Sequence, residues 1–238
     1  MLNQYIAQTQ ALLQNPPAST ALYTTAQLTS WINLARGQIA GENECIRVPA
    51  SLSCVVAQRV YNFSAINTTA VSGVGGVFNI KQINVTVGDG AQILHPRSFQ
   101  WFNQFLLSLT VPNSGQPKVW AQYAQGAAGS IYLDPIPDNT YTLNLDTVCL
   151  PVNLVDDSTV EATPYPWTDC VPFFAAYYAY LGAQRRGDAD AMFKNYQEFA
   201  QRARGMSNSS VLKRIYPQSV DQTLPQKLGV SQGRGGGQ

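Results

Sequence analysis

The sequence is poor in histidine, in charge and in long apolar runs, and each shortage excludes a class of protein. It has one histidine and four cysteines among 238 residues. The cysteines show no C-x-x-C spacing, so a tetrahedral zinc site built from Cys and His is not expected. No stretch approaches the roughly 18 apolar residues of a membrane span. The first segment is too polar for a signal peptide, so we expect cytoplasmic synthesis and reduced thiols.

Charge is scarce and unevenly distributed. Charged residues make up 12% of the chain and hydrophobic residues 45%, whereas about 25% charged is usual for soluble proteins. A weakly charged surface suits packing against other subunits. Residues 181–238 hold nine Lys and Arg and four acids, a net charge of 9 − 4 = +5; residues 1–180 hold six and ten, a net charge of 6 − 10 = −4. The basic part either docks onto an acidic partner or nucleic acid, or lines a solvated helix face.

Helical periodicity is found near both ends of the chain. The strongest case follows Thr24 or Thr25, either of which can cap a helix whose apolar residues share one face. Prolines, glycines and capping residues bound the other helices. The predicted helices are residues 2–14, ending before Pro16; about 26–44, with Leu28, Trp31, Ile32, Ala35 and Ile39 on its face; 169–186, capped by Asp169 with Pro172 in its first turn; and 188–205, capped by Asp188 and ended by Gly205.

Between residues 49 and 163 an alternation of apolar and polar residues replaces the helical pattern. This period of two is typical of half-buried strands, and Gly- and Pro-rich turns separate the runs. Residues 98–109 are an exception, because their apolar spacing predicts a short helix capped by Ser98. The predicted strands are residues 54–63, 79–87, 118–125, 130–133 and 141–147.

These patterns predict an α+β fold with an insertion. Each terminal helical hairpin has one apolar face that it cannot bury alone, so we expect residues 1–46 and 165–205 to pair into one four-helix bundle. Residues 47–164 would then form an inserted antiparallel β domain. Residues 206–238, with their many glycines, would form an extended C-terminal arm.

No pattern of residues predicts catalysis. The only histidine, His95, precedes Pro96 in a strand-like run, and no G-x-S-x-G turn is present, so a Ser-His-Asp triad is not expected. Paired carboxylates suffice for glycoside hydrolysis, but turn formation or solvation at a helix end explains each candidate equally well. We therefore predict a non-enzyme without cofactor or metal. The candidate pairs are Glu42 with Glu44, Asp134 with Asp138, and Asp156 with Asp157.

Three local patterns together resemble one family. The first lies within residues 23–36 and contains Ile32-Asn33-Leu34-Ala35-Arg36. The second runs from residues 115–123 through 131–138 to 141–143. The third is Pro166-Trp167-Thr168-Asp169, followed by an Ala- and Tyr-rich helix and residues 187–191. In this order they resemble the head-to-tail adaptors of short-tailed bacteriophages, also called tail tubular protein A-like or head-completion proteins, over about residues 20–216.

The resemblance implies a virion protein rather than a free enzyme. Members form a helical bundle with an inserted β domain, and twelve copies make a ring beneath the portal protein. The ring extends the channel through which DNA passes without sequence-specific binding, and it offers a docking surface to the tail nozzle. Synthesis in the host cytoplasm and localisation in the neck or tail of the virion follow from this resemblance.

In the family the C-terminal arm commonly reaches the portal, and residues 211–217 of this chain have a composition suited to docking. We expect apolar side chains there to fill partner pockets and two cations to meet acidic groups. Two alternatives remain open: a receptor- or carbohydrate-binding virion protein that uses its β domain, or a virion cell-wall hydrolase. The predicted portal-docking residues are Leu212, Lys213, Arg214, Ile215 and Tyr216.

Overall fold

A computed structural model describes residues 1–15, 22–68, 71–88, 90–106 and 113–207 of the chain, without the side chains of residues 105, 106 and 207. Helices and antiparallel sheets occupy different stretches of the chain, which confirms the α+β class. The helices are α1 (Leu2–Leu13), α2 (Thr25–Asn43), α3 (Phe99–Trp101), α4 (Val171–Gly182) and α5 (Arg186–Ser207). The strands are β1 (Arg47–Ser53), β2 (Val60–Asn62), β3 (Asn67–Thr68), β4 (Val74–Val87), β5 (Gly90–Ile93), β6 (His95–Pro96), β7 (Val119–Tyr123), β8 (Ser130–Asp134) and β9 (Thr142–Pro151).

The predicted start of α2 is confirmed in detail. The backbone N–H of Gln27 donates to the Thr24 hydroxyl, and the Gln27 side chain accepts from the Thr24 backbone, which completes a capping box. This reciprocal pair satisfies two backbone donors that the first turn of a helix leaves free. A π-helical turn, Phe102–Leu106, continues α3, and the Ser98 hydroxyl caps α3 as expected.

The boundary between the last two helices differs from the prediction. Helix α4 ends at Gly182 rather than near residue 186, and α5 begins at Arg186. Asp188 therefore lies within the first turn of α5, where it accepts a 2.7 Å hydrogen bond from Arg185 Nε. Asp169 belongs to a short 3₁₀ turn, Trp167–Cys170, and does not cap α4. Because α5 already begins at Arg186, Gly187 lies within α5 and does not end α4.

Two sheets form the region between α2 and α4. The first has the strand order β3-β1-β9-β4-β5 and the second β2-β8-β7-β6. All pairings are antiparallel except the short pairing of β6 with β7. The predicted strand 54–63 is wrong in its first half, because only residues 60–62 pair with another strand, as β2. The preceding strand, β1, begins at Arg47 and pairs with β9 along its whole length.

Two glycines permit close approaches that a side chain would prevent. A Cβ atom on Gly129 would lie 2.3 Å from the ring of Phe63, which packs directly over it. A Cβ atom on Gly73 would lie 2.3 Å from the carbonyl oxygen of Val160, and Gly73 also has a positive φ. The first contact lies where the end of β2 adjoins the start of β8 in the second sheet; the second fixes the start of β4 against the chain that follows β9.

The buried apolar side chains form two large clusters. One draws on α1, α2, α4 and α5, so helices from both ends of the sequence share one core. The other draws on both sheets and on the end of α2, where Ala40 is fully buried. The first cluster is rich in aromatic rings and alanines, whereas the second consists mainly of Ile, Val and Leu. Helix α2 contributes to both clusters and therefore connects them.

Candidate assembly surfaces

A buried arginine on α2 fixes the segment that leaves the sheet. The side chain of Arg36 is fully buried, and its Nε and Nη2 atoms each donate a 2.8 Å hydrogen bond to one carboxylate oxygen of Glu161. Its Nη1 atom donates to the carbonyl oxygen of Val152 at 2.8 Å. One guanidinium group therefore holds both ends of residues 152–161, the segment that follows β9. The bidentate geometry matches the planar fork of arginine, which lysine cannot reproduce.

Asn33, one turn before Arg36, holds the middle of the same segment. Its Nδ2 atom donates to the carbonyl oxygen of Leu154 at 2.9 Å, and its Oδ1 atom accepts from the Leu154 N–H at 2.8 Å. This pair of bonds resembles the pairing of neighbouring strands. The Ile-Asn-x-Ala-Arg pattern thus has a structural explanation that the sequence did not predict: its two polar residues hold the segment between the β region and the helices.

The electrostatics of this site favour a permanent ion pair. Burial alone would raise the pKa of Glu161, but hydrogen bonds from Arg36 and from the Thr163 N–H outweigh it and hold the pKa below its ordinary value. Burial, together with the nearby Glu161 carboxylate, raises the pKa of the Tyr5 phenol. Glu161 is therefore ionised and Tyr5 neutral at physiological pH, so the site has no group that exchanges protons there.

The candidate carboxylates near the end of α2 have structural partners. Glu42 accepts hydrogen bonds from the Tyr196 hydroxyl at 2.9 Å and from Gln38 at 2.6 Å. Glu44 lies 2.5 Å from Lys81 Nζ and so connects the end of α2 to β4. A hydrogen bond from Lys81 lowers the pKa of Glu44. These contacts attach α2 to its neighbours rather than direct two carboxylates at a common substrate.

Of the remaining candidate carboxylates, Asp134 is the last residue of β8, whereas Asp138, Asp156 and Asp157 lie in turns or bends. Asp134 is 3.6 Å from Arg59, and burial raises its pKa. Asp138 accepts a 2.7 Å hydrogen bond from the Tyr141 hydroxyl, as the turn interpretation predicts. Asp156 accepts hydrogen bonds from the backbone N–H groups of Ser158 and Thr159. Asp157 accepts hydrogen bonds from the backbone and the side chain of Asn3.

Within the ranges given above, no group of three or more His, Cys, Asp or Glu side chains is placed to hold a metal ion. No helix in that part of the chain is both long and apolar enough to cross a membrane.

Large apolar side chains remain exposed on both regions. Exposed apolar side chains beyond what a monomer needs are typical of protein–protein contact surfaces. The most exposed are Val155 at 79%, Leu22 at 76%, Tyr165 at 70% and Met206 at 63%. On the sheets, Val55 and Val56 stand in the turn between β1 and β2, and Ile93 lies on the edge strand β5. Exposed apolar side chains thus occur both in the helical region and in the β region.

The turn that carries Val55 and Val56 is fixed by one buried tyrosine. The Tyr61 hydroxyl accepts a 3.0 Å hydrogen bond from the Val55 N–H and lies 3.0 Å from the Gln58 carbonyl oxygen, to which it donates. Burial raises the pKa of Tyr61 to about 12, so the hydroxyl keeps its proton across the physiological range. The two valines are therefore presented on a turn that is already ordered, which lowers the entropic cost of binding a partner.

An apolar cleft of about 450 Å³ lies among α1, α4 and α5. Phe173 of α4 and Phe199 of α5 stack with their ring centroids 4.8 Å apart. Leu12 and Pro172 complete the apolar wall, and Asp169 stands at the rim. The Asp169 carboxylate makes no hydrogen bond or ion pair with another residue that the structure describes, although its backbone N–H donates to the Pro166 carbonyl oxygen at 3.2 Å. The cleft is thus an apolar surface with one free negative charge at its edge.

The predicted portal-docking residues Leu212, Lys213, Arg214, Ile215 and Tyr216 lie outside the described residues, which end at Ser207. Sequence reasoning missed the Arg36 site and the cleft. An arginine and an asparagine within the apolar pattern of α2 were the available signal for the Arg36 site. The cleft joins residues more than 150 positions apart, so no local pattern could have indicated it.

The comparison with family models agrees with the adaptor interpretation. The family model described as SU10 adaptor protein matches residues 2–221. Among solved structures, a chain from the "Neck of empty GTA particle computed with C6 symmetry" is 13% identical, with 73% of this chain and 76% of that chain covered and a TM-score of 0.23. No curated protein matches. The match covers nearly the whole sequence and confirms the resemblance to adaptor proteins: the chain belongs to the SU10 adaptor protein family.

Proposed function

We propose that this protein is a structural virion component that assembles into a ring between the portal of a phage head and the tail. The ring, expected to hold twelve copies, extends the DNA channel and offers a surface to the tail nozzle. Membership of an adaptor family over residues 2–221 is the observation that carries the proposal. The role needs no catalytic residue, because shape and surface alone make the connection.

The surface of the subunit supports assembly into a ring. A ring joins two different faces of neighbouring copies, so each subunit needs apolar contact surfaces on more than one side. Val55 and Val56 on the β region and Leu22 near the start of α2 provide such surfaces. The low charge content of 12% keeps the repulsion between copies small.

The Arg36 site supports a role in which the subunit holds two partners in a fixed relative position. An adaptor must hold its helical and β surfaces in a fixed relation if the portal binds one and the tail the other. Arg36, Asn33 and Glu161 fix residues 152–161, through which the chain passes from β9 to α4. We accordingly propose residues 1–46 and 165–205 as a helical bundle and residues 47–164 as the inserted domain; the two separate apolar clusters support this division.

Electron microscopy of the purified protein, alone and mixed with portal-bearing heads that lack tails, tests the ring. We expect closed rings of subunits at the portal vertex, because the portal supplies a symmetric template. Sedimentation of the free protein separates a ring formed in solution from one formed only on the portal. Heads that bind single, unringed subunits, or none at all at saturating protein, would contradict the proposal.

We also propose that Leu212, Ile215 and Tyr216 bind apolar pockets of the portal and that Lys213 and Arg214 meet its acidic groups. Exposed ion pairs contribute only about 0–1 kcal/mol each, so the apolar anchors carry most of the affinity. Removal of residues 208–238 should abolish binding to portal-bearing heads while the circular dichroism spectrum stays that of the full chain.

A matched pair of double variants makes this test specific. Leu212→Ser with Ile215→Ser removes two proposed anchors, whereas Leu224→Ser with Leu228→Ser removes two leucines of the same arm outside the cluster. We expect the first pair to weaken co-sedimentation with heads at least tenfold and the second to leave it unchanged. Equal binding by both double variants would contradict a role for these anchors.

A further inference from the structure

We propose that the cleft among α1, α4 and α5 is a docking site for the chain's own residues 211–217. Leu12, Pro172, Phe173 and Phe199 form its apolar wall, and the volume is about 450 Å³. A cleft of this size on a helical surface is large enough for two or three apolar side chains of a peptide. This inference concerns the free subunit and does not depend on portal docking.

The chain length after the last described residue of α5 is enough for residues 211–217 to reach the cleft. The described part of α5 extends to Ser207, and Phe199 lies eight residues earlier, about 12 Å back along the helix axis. Five residues of extended chain, 208–212, span up to about 17 Å. A chain that reverses after Ser207 therefore brings Leu212 level with Phe199. Asn208, Ser209 and Ser210, at the required reversal, are residue types that favour turns.

The chemistry of the segment matches that of the cleft. Leu212, Ile215 and Tyr216 supply apolar groups for a wall made of leucine, proline and phenylalanine. Lys213 and Arg214 supply positive charge opposite Asp169, whose carboxylate has no partner within the described part of the chain. On the other side, the Arg202 guanidinium lies over the Phe199 ring, 5.3 Å from its centroid, so the positive charge of the segment is favoured only at the Asp169 rim.

The short connection favours the chain's own segment over the same segment of another copy. Four residues, 208–211, separate Ser207, the last described residue of α5, from Leu212. A short flexible connection gives an effective concentration in the millimolar range, far above that of a second subunit in dilute solution. Because the same residues are proposed to bind the portal, the cleft and the portal would compete for them. The subunit would then keep its apolar anchors covered until it meets a portal.

Methyl NMR of the full chain tests the docking. With Ala, Ile and Leu methyl groups labelled, we expect nuclear Overhauser effects between Ile215 or Leu212 and Leu12 or Ala11, which lines the same cleft. Leu212→Ser with Ile215→Ser should shift the Leu12 and Ala11 signals, because their apolar partners are lost. Leu224→Ser with Leu228→Ser should leave those signals in place. Absence of the contacts, or identical spectra for the two double variants, would overturn the inference.

Two further samples identify the occupant and the contribution of charge. In a mixture of labelled and unlabelled chains, contacts that cross between chains would show that a neighbouring copy fills the cleft and would overturn the intramolecular docking. Asp169→Asn should shift the Lys213 and Arg214 backbone signals, whereas Asp190→Asn, an exposed change on α5, should not. If Asp169→Asn moves no arm signal, the charge match is wrong.

This experiment separates the inference from the portal proposal. Loss of head binding in the Leu212 and Ile215 double variant with no cleft contacts in the free chain would support the portal site alone. Cleft contacts with undiminished head binding would support the cleft alone.

Discussion

The helical region and the β region are stabilised by different means. In the helices, aromatic rings pack across elements far apart in sequence: Phe174 of α4 stacks on Tyr196 of α5 with centroids 4.3 Å apart. A fully buried ion pair, Arg36 with Glu161, joins α2 to the segment after β9. In the sheets, aliphatic side chains such as those of Ile83, Leu133 and Leu143 fill the core, and each is fully buried. The buried ion pair thus lies where the two regions meet.

The largest effect should come from breaking the buried ion pair. Arg36→Met leaves the Glu161 carboxylate buried without its partner, which costs about 3–5 kcal/mol in the free energy of unfolding. Urea denaturation measures this loss. Arg47→Met is the matched control, because Arg47 pairs with Asp146 on the exposed face of the sheet, with side chains 54% and 38% exposed. Equal destabilisation by the two variants would show that burial of the pair has no energetic consequence.

Acid should weaken the same pair by protonation. The folded-state pKa of Glu161 lies below its ordinary value of 4.5, so its stabilising contribution is complete above the unfolded pKa. It is lost as the pH falls from about 4.5 through the lower folded-state pKa. Glu161→Gln cannot titrate and should show a shallower decline of stability between about pH 5 and pH 3. Parallel pH profiles of the two proteins would rule out this contribution.

An intermediate effect is expected where the end of β2 adjoins the start of β8 in the second sheet. Gly129→Ala would place a methyl group 2.3 Å from the Phe63 ring, so the ring must move, at a cost of about 1–3 kcal/mol. Gly187→Ala is the control, because nothing lies within 4 Å of the position that its Cβ would occupy. Thermal denaturation compares them. A melting temperature for Gly129→Ala at or above that of the control would contradict the packing argument.

The smallest effect is expected at the exposed link between the regions. Glu44 and Lys81 lie 2.5 Å apart with side chains 36% and 34% exposed, and such pairs contribute about 0–1 kcal/mol. A double-mutant cycle with Glu44→Gln and Lys81→Met isolates the coupling energy. We expect it to fall further as salt is added. A coupling as large as the loss in Arg36→Met would reverse the comparison between buried and exposed links.

Local patterns were sufficient for most elements but not for their boundaries. The capping residues Thr24 and Ser98 were predicted correctly, because a cap depends on residues three positions apart. The turn after α4 was placed too late, because the sequence around residues 182–188 has good helix formers on both sides of it. Strand β1 was not predicted, since its partner β9 lies almost 100 residues away.

The sequence by itself determined the α+β class, the order of its elements and the resemblance to an adaptor family. These depend on periodicity, caps and short motifs, all of which act between near neighbours in the chain. Only the tertiary structure decided what Arg36 and Asn33 do, where the candidate carboxylates find partners, and which helices enclose the cleft. Each of these depends on distances between side chains up to 190 positions apart, and such distances follow from packing in three dimensions rather than from local conformational preference.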